Sequence, residues 1–263
     1  MNGVYLYCVA NAARKPSTAR APHGMPGATT PEAVHVTGSL WLILAEVPLD
    51  TYGGDQLENR LADLEWVGQI AMAHERVVEH FAGKSGQVVI PMKLFTMFSN
   101  RARAISEIAA RRSSIDAAVR RIANAEEWGI RVMRTGGPER ASASTTATAS
   151  SGRGSGAAFL ASKKQARDAA RNAKAAAIES ASRAYERLAS LARESRVRTD
   201  TPASAATPPL LDAAFLVPSG KRAAFKAAAQ REVARCAKAG AQMTISGPWP
   251  AYNFVETGQT GTR

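Results

Sequence analysis

The histidines at 74 and 80 form the segment of this sequence that most resembles a metal site, HERVVEH. A zinc site of the HExxH type needs its histidines four residues apart, because that spacing places both on one face of a helix. Here they are six apart, which separates them by about 120° around a helix. We therefore predict no metal site. We expect His74 to lie half-buried on an apolar helix face and His80 to lie outside it, exposed.

Two glycine-containing segments could in principle hold a phosphate. The GRGSG run at 152–156 lacks the last glycine of a GxGxxG motif and has no strand leading directly into it, so we interpret it as a linker. Gly220 and Lys221 form a GK pair before a predicted helix, but Phe215 stands where a P-loop needs its first glycine. Neither segment predicts a nucleotide site.

Nucleophilic and acid–base catalysis are not indicated either. Cys8 and Cys236 have no histidine nearby in sequence, and no GxSxG run occurs. The other titratable residues are spread along helices without the close pairs that tuned acid–base sites need. We expect no enzyme, no catalytic residues and no cofactor, and the two cysteines fit buried thiols in a reducing cytoplasm.

The N-terminal half has the pattern of a small α+β domain. Val4 to Val9 indicates a buried strand, and Val34 to Thr37 with Leu40 to Val47 indicates a hairpin turning at Gly38-Ser39. Apolar residues at steps of three and four from Asp55 to Phe81 predict one helix, started by a capping box at Asp55. A short strand at 88–90 and a helix capped by Asn100 follow.

The C-terminal half alternates strands and helices, and the long helix is rich in alanine. The predicted elements are a strand at 127–133, a helix from 157 to about 196, a strand at 210–217, a helix capped by Ser219, and a strand at 242–246. This order permits two helices on one face of a small sheet, which is a ferredoxin-like arrangement. An unbroken helix of that length would be about 60 Å long, so we expect a break or fraying.

We therefore predict an α+β fold of two small α+β domains, at 1–124 and 125–263, with the second ferredoxin-like. The second domain would contain an insert at 134–156 that is rich in Ser, Thr, Gly and Ala and is predicted to be flexible. It would end in an aromatic and proline-rich tail at 247–263.

The charge is unevenly distributed along the chain. Residues 1–133 carry 14 Lys+Arg and 13 Asp+Glu, whereas residues 134–263 carry 20 and 9. A basic half favours an anionic partner such as nucleic acid, an acidic protein or a lipid surface, unless the charges only solvate alanine-rich helices. The longest apolar run, Leu40 to Ala45, is far too short to span a bilayer, and the first residues lack the basic region of a secretory signal. We predict no membrane partner.

The tail from Gly247 to Phe254 reads GPWPAYNF and concentrates three aromatic residues in a chain that is 6% aromatic. Pro248 and Pro250 restrict φ and lack N–H donors, so the tail should form a stiff strap and not a central strand. The rings could pack into their own domain or hold an apolar partner. We expect Trp249 to be internal, because it lies close to the last strand, and one of the two later rings to face a partner.

A GPWPxYxF tail directly after a final strand resembles the gas vesicle GvpL/GvpF family. Further segments resemble that family in the same order: VYLYCV at the start, Leu64 to Phe81, VVIPMKLFTMF at 88–98, EWGIRV at 127–132, Ser155 to Lys163, and Ala213 to Val217. The resemblance covers nearly the whole chain. The family usually has Phe-Gly-Thr after the proline, whereas this sequence has Met92 to Thr96, MKLFT, with no glycine, so an F-like or an L-like subtype stays open.

The resemblance implies a cytoplasmic accessory protein of gas vesicle assembly that binds the small, hydrophobic shell protein and keeps it soluble, with other gas vesicle accessory proteins as further partners. The alternative is a minor structural component or nucleator of the vesicle shell. A nucleic-acid-binding ferredoxin-like protein is a more distant alternative, because the strand with Trp128 and Arg131 lacks an RNP-like run.

The candidate partner-binding residues are those of the tail and four basic residues of the long helix: Pro248, Trp249, Pro250, Tyr252, Phe254, Lys163, Lys164, Arg167 and Arg171.

Overall fold

The computed structural model describes residues 1–135, 155–199 and 207–255. The chain divides into two compact units, Met1–Glu127 with Pro248–Arg263, and Trp128–Gly247. Each unit contains its own sheet and helices, so the predicted α+β class is confirmed. The change from the first unit to the second, between Glu127 and Trp128, lies close to the domain boundary predicted between residues 124 and 125. The tail groups with the first unit, whereas the sequence analysis placed it in the C-terminal domain.

The first unit is built on an antiparallel sheet in the order β2-β3-β1-β4, with β5 also paired to β1. The predicted hairpin is confirmed as β2 and β3, and Gly38 at its turn has a φ of 54° that glycine adopts without a Cβ penalty. The strands are β1 (Asn2–Ala12), β2 (Glu32–Thr37), β3 (Leu40–Pro48), β4 (Gln87–Pro91) and β5 (Met97–Phe98).

The helices of the first unit are α1 (Leu49–Tyr52), α2 (Gly54–Arg60), α3 (Leu64–Ala82), α4 (Arg101–Ala110) and α5 (Arg112–Ile122). The prediction of one helix starting at Asp55 is wrong. Asp63 caps α3, because its carboxylate accepts the backbone N–H groups of Glu65 and Trp66 at 3.0 and 3.1 Å. The predicted cap at Asn100 is confirmed, since its side chain accepts the N–H of Arg103 at 2.9 Å.

The second unit has the element order β6 (Ala125–Arg134), α6 (Ser155–Ala189), β7 (Glu194–Val197), β8 (Leu211–Pro218), α7 (Arg222–Lys238) and β9 (Ala241–Trp249). Its sheet order is β7-β8-β6-β9, the ferredoxin-like arrangement of a βαββαβ unit. The sequence analysis missed β7 and assigned its residues to the end of the long helix. β7 pairs antiparallel with β8 and completes the four-stranded sheet.

Helix α6 is continuous over 35 residues, about 52 Å, so it contains no break, but it ends at Ala189 instead of near residue 196. Its C-terminal part packs on the sheet through Ala177, Ala181, Ala184 and Leu188, in a core shared with α7. The predicted cap at Ser219 is also wrong, because a short 3-10 turn at Ser219–Lys221 precedes α7 and neither start has a side-chain cap. Most of the predicted flexible insert, residues 136 to 154, lies outside the residues that the structure describes. At its two ends, Arg134 is the last residue of β6 and Ser155 is the first residue of α6.

Phe95 occupies a backbone position that suits glycine. Its φ is 62°, in the left-handed region where a bulky side chain is strained. The Phe95 ring stacks on the Trp66 ring, with the centroids 5.9 Å apart and the planes 11° from parallel. This stacking offsets part of the backbone strain.

Candidate partner-binding site

The described part of the tail, to Val255, consists of the end of a strand and a short turn. Pro248 and Trp249 extend β9, which lies at the edge of its sheet, the position where a strand tolerates proline. Tyr252 to Phe254 then form a single 3-10 turn. This turn carries the Phe254 ring into the interior, where it is fully buried.

Trp249 does not lie in the environment expected for it, whereas Tyr252 is half-buried, so a partner-facing role for one of the two later rings stays a prediction. Trp249 is 40% exposed, and Pro248 is exposed beside it. Phe254 is fully buried, and Pro250 is buried as well. The expectation that Trp249 is internal is therefore wrong, and Phe254 cannot face a partner in this conformation. Distance along the chain was a poor guide, because the 3-10 turn returns the later residues to the first unit.

Two carboxylates of the first unit hold the tail. The Tyr252 hydroxyl donates to Glu75 Oε2 at 2.5 Å, and the ring lies 6.4 Å from that of His74. The backbone N–H and the side-chain amide of Asn253 donate to the two oxygens of Glu127 at 2.8 and 2.5 Å. Hydrogen bonds to charged groups are stronger than neutral ones, so these contacts fix the tail firmly.

Burial shifts the pKa values of the titratable groups that pack around Tyr252 towards their neutral forms. Burial raises the pKa of the Glu75 carboxyl above its ordinary value and raises that of the Tyr252 hydroxyl. Burial also lowers the pKa of His74 to about 4, so its ring is neutral at pH 7. The His74 Nδ1 is hydrogen-bonded to the Tyr5 hydroxyl at 2.8 Å. These groups form a packed, hydrogen-bonded support for Tyr252 rather than an open reactive site.

The two histidines differ in exposure, as their six-residue spacing on the helix predicts. His74 is buried, more deeply than expected, and His80 is partly exposed with its ring against the edge of Phe81. Within the described residues, no group of three or more His, Cys, Asp or Glu side chains is arranged to hold a metal ion. In the same residues, no helix is both long and apolar enough to cross a membrane.

The basic candidates lie together on the first part of α6. Lys163, Lys164, Arg167 and Arg171 are all exposed. At 100° per residue they share an arc about 100° wide. Lys174 lies on the same arc but was not among the residues predicted from the sequence.

The strand considered for nucleic-acid binding does not present its side chains to a base. Trp128 is buried, with its ring 6.0 Å from that of Phe225. Arg131 is committed to an ion pair with the buried Asp212, at 2.6 Å, and Arg198 binds the other oxygen of the same carboxylate at 2.5 Å. A sheet that stacks bases needs exposed rings, and these residues supply none.

Sequence reasoning also missed the carboxylates that anchor the tail. Glu75 follows a buried histidine on α3, and Glu127 precedes a buried tryptophan on β6. Such positions are compatible with solvent-exposed glutamates as well. No local signal marked either residue as a hydrogen-bond acceptor for a segment more than 100 residues away in sequence.

The sequence matches the family model described as "Gas vesicle synthesis protein GvpL/GvpF" over residues 3–256. No curated protein matches the chain. The crystal structure of GvpF from Anabaena sp. PCC7120 is similar, with a TM-score of 0.67 and 13% identity, and the alignment covers 100% of both chains. GvpF from Microcystis aeruginosa has a TM-score of 0.61 and 12% identity over 97% of this chain and 99% of that one. At these identities the likeness concerns the fold.

Proposed function

Because the chain belongs to the gas vesicle GvpL/GvpF family, we propose that it is an accessory protein of gas vesicle assembly that binds the small, hydrophobic shell protein and keeps it soluble before incorporation. Family membership supports a role in gas vesicle formation. The capture of the shell protein, the cytoplasmic location and further gas vesicle proteins as partners are parts of the proposal. The proposal assigns no catalytic step to the chain.

The exposure of Trp249 is the observation that carries this proposal. The indole lies at the end of an edge strand, and an edge strand offers backbone groups for pairing with a partner segment. An exposed tryptophan beside an exposed proline is also a suitable anchor for an apolar partner, since tryptophan is enriched in binding hot spots.

The residues on both sides of Trp249 limit its freedom before binding. Pro248 and Pro250 restrict the backbone, and the hydrogen bonds of Tyr252 to Glu75 and of Asn253 to the buried Glu127 hold the following turn. A partner would therefore pay little conformational entropy to order this ring. Tyr252 and Phe254 contribute to binding indirectly in this proposal, by holding the anchor in position.

The test is co-purification of the shell protein with the full chain, compared with a Trp249→Ala variant. We expect the variant to lose at least ~2 kcal/mol of binding, roughly thirtyfold in the dissociation constant. Its melting temperature should change little, because the ring is partly exposed. Val197→Ala is the matched control, since Val197 is an exposed apolar residue that ends β7, at the opposite edge of the same sheet.

Equal recovery of shell protein with both variants would contradict the role of Trp249. A wild-type chain that recovers no shell protein, but remains with isolated vesicles through washing, would instead indicate the alternative role of a minor structural component or nucleator. Lys163, Lys164, Arg167 and Arg171 are candidates for attracting an acidic partner, and their exposure suits that role.

A further inference from the structure

The first part of α6 is a helix that nothing in the described chain covers. From residue 156 to residue 176 every side chain whose exposure is described is exposed, and the buried residues of this helix begin at Ala177. Phe159 and Leu160 are 65% and 66% exposed. Large apolar side chains grouped on an unpartnered helix are typical of an interaction surface. We call residues 155–176 the exposed segment of α6.

The charge of this segment restricts its partner. It carries five basic side chains and one acidic one, Asp168. Two such segments carry charge of the same sign, so pairing of α6 with α6 of another molecule is electrostatically unfavourable. The partner must offer acidic side chains together with exposed apolar ones. The basic residues are Lys163, Lys164, Arg167, Arg171 and Lys174.

A surface with these properties exists in the first unit of the same chain. Leu64, Gly68 and Met72 follow one another at steps of four along α3, on the side opposite the buried residues of that helix. Leu64 is 82% exposed, and apart from the adjoining residues and the backbone of α3 itself no atom lies within 4 Å of where a Cβ on Gly68 would be. A helix backbone could therefore approach α3 closely at Gly68, between two apolar side chains.

Acidic residues surround this line. Asp55, Glu58, Asp63, Glu65 and Glu79 are all exposed on α2 and α3 or in the turn between them. Arg60 and Arg76 are the basic residues of the same stretch, and the guanidinium of Arg60 lies over the Trp66 ring. We call Leu64, Gly68, Met72 and these five carboxylates the acidic face.

We propose that the exposed segment of α6 binds the acidic face of a second copy of this chain. The two surfaces are complementary, because five basic side chains meet five carboxylates while Phe159 and Leu160 meet Leu64 and Met72. The two surfaces differ from one another, so the association is head-to-tail, and a pair of copies keeps one free surface of each kind for further neighbours. This self-association goes beyond shell-protein binding and does not depend on it.

A charge-swap experiment tests the proposal with purified protein alone. The first variant carries Lys164→Glu, Arg167→Glu and Arg171→Glu, and the second carries Glu58→Lys, Glu65→Lys and Glu79→Lys. We expect the wild type to associate in a concentration-dependent manner in sedimentation experiments at low salt, and less at high salt because salt screens exposed charges. Each variant alone should be monomeric. An equimolar mixture should associate again, because the swapped surfaces match across the two chains.

The matched control is Lys221→Glu with Arg231→Glu and Lys238→Glu, which changes the net charge as the first variant does, at exposed residues outside both surfaces. It should associate as the wild type does, and circular dichroism should show that all variants are folded. A wild type that stays monomeric at every concentration would overturn the proposal. So would a folded mixture that remains monomeric, or a control that loses association as fully as the first variant. None of these outcomes bears on shell-protein binding, which is measured separately.

Discussion

At the residue scale, Phe95 combines an unfavourable backbone with a favourable ring contact. A positive φ costs a non-glycine residue on the order of 1–2 kcal/mol, because the Cβ approaches the neighbouring carbonyl. The ring gains its contact with Trp66 in return, and the Phe95 backbone N–H also donates to the Tyr5 hydroxyl at 3.3 Å. Side chain and backbone therefore make opposite contributions to stability at this one residue.

These two contributions can be separated by substitution. Phe95→Ala removes the ring and keeps the strain, whereas Phe95→Gly removes both. We expect Phe95→Gly to be more stable than Phe95→Ala by about 1 kcal/mol, the reverse of the usual order of alanine and glycine. Urea unfolding of both variants measures the difference. A Phe95→Ala variant at least as stable as Phe95→Gly would show that the left-handed backbone carries no strain.

At the element scale, α6 joins two parts with different sources of stability. No proline or glycine occurs from residue 157 to 189, and alanine is the best helix former, so the sequence favours an unbroken helix throughout. Only the part from Ala177 onward is also held by tertiary packing, against the sheet and α7. The exposed segment depends on local propensity and on continuity with the packed part.

Proline substitutions distinguish the two parts of α6. Ala170→Pro lies in the exposed segment and should reduce helical circular dichroism while leaving the melting temperature of the protein nearly unchanged. Ala184→Pro lies in the packed part and should cost about 3 kcal/mol or more, because it disrupts both the helix and the core. Similar melting temperatures for the two variants would mean that both parts of α6 are equally coupled to the fold.

At the scale of the whole molecule, the two units differ in net charge, and the first unit is formed from two separate segments of the chain. Residues 1–127 carry 13 Lys+Arg and 13 Asp+Glu, whereas residues 128–247 carry 20 and 8, so the basic charge belongs to the second unit. The second unit is inserted between the body of the first unit and its last residues, 248–255 among those described. The first unit is thus completed only when the C-terminal end of the chain is present.

Truncation tests this dependence of the first unit on its last residues. Ending the chain after Gly247 removes the buried Phe254 and the hydrogen bonds to Glu75 and Glu127, and ending it after Val255 keeps them. We expect the shorter chain to be less stable than the longer one by about 3–5 kcal/mol, the usual cost of losing a buried aromatic side chain. Hydrogen exchange should report the loss in α3 first, and equal protection of α3 in both chains would contradict this assignment.

Local patterns in the sequence were sufficient for much of the fold. Strand alternation and turn residues predicted β1, the β2–β3 hairpin, β4 and β8, and the Asn100 cap marked the start of α4, because these features depend on neighbours within a few residues. The order of short motifs also indicated the family, which the family match over residues 3–256 confirms. The α+β class followed from the same elements.

Tertiary structure decided what depends on distant residues. β7 has only four residues and no clear alternation, and it is a strand because β8 lies beside it. The exposure of Trp249 and Phe254 depends on Glu75 and Glu127. These carboxylates hold the turn that buries Phe254 and leaves Trp249 exposed. Alanines line one side of α6 in both its exposed and its packed part, at 166, 170 and 173 and again at 177, 181 and 184. This side is core only where the sheet covers it, because burial is a property of the partner as much as of the side chain.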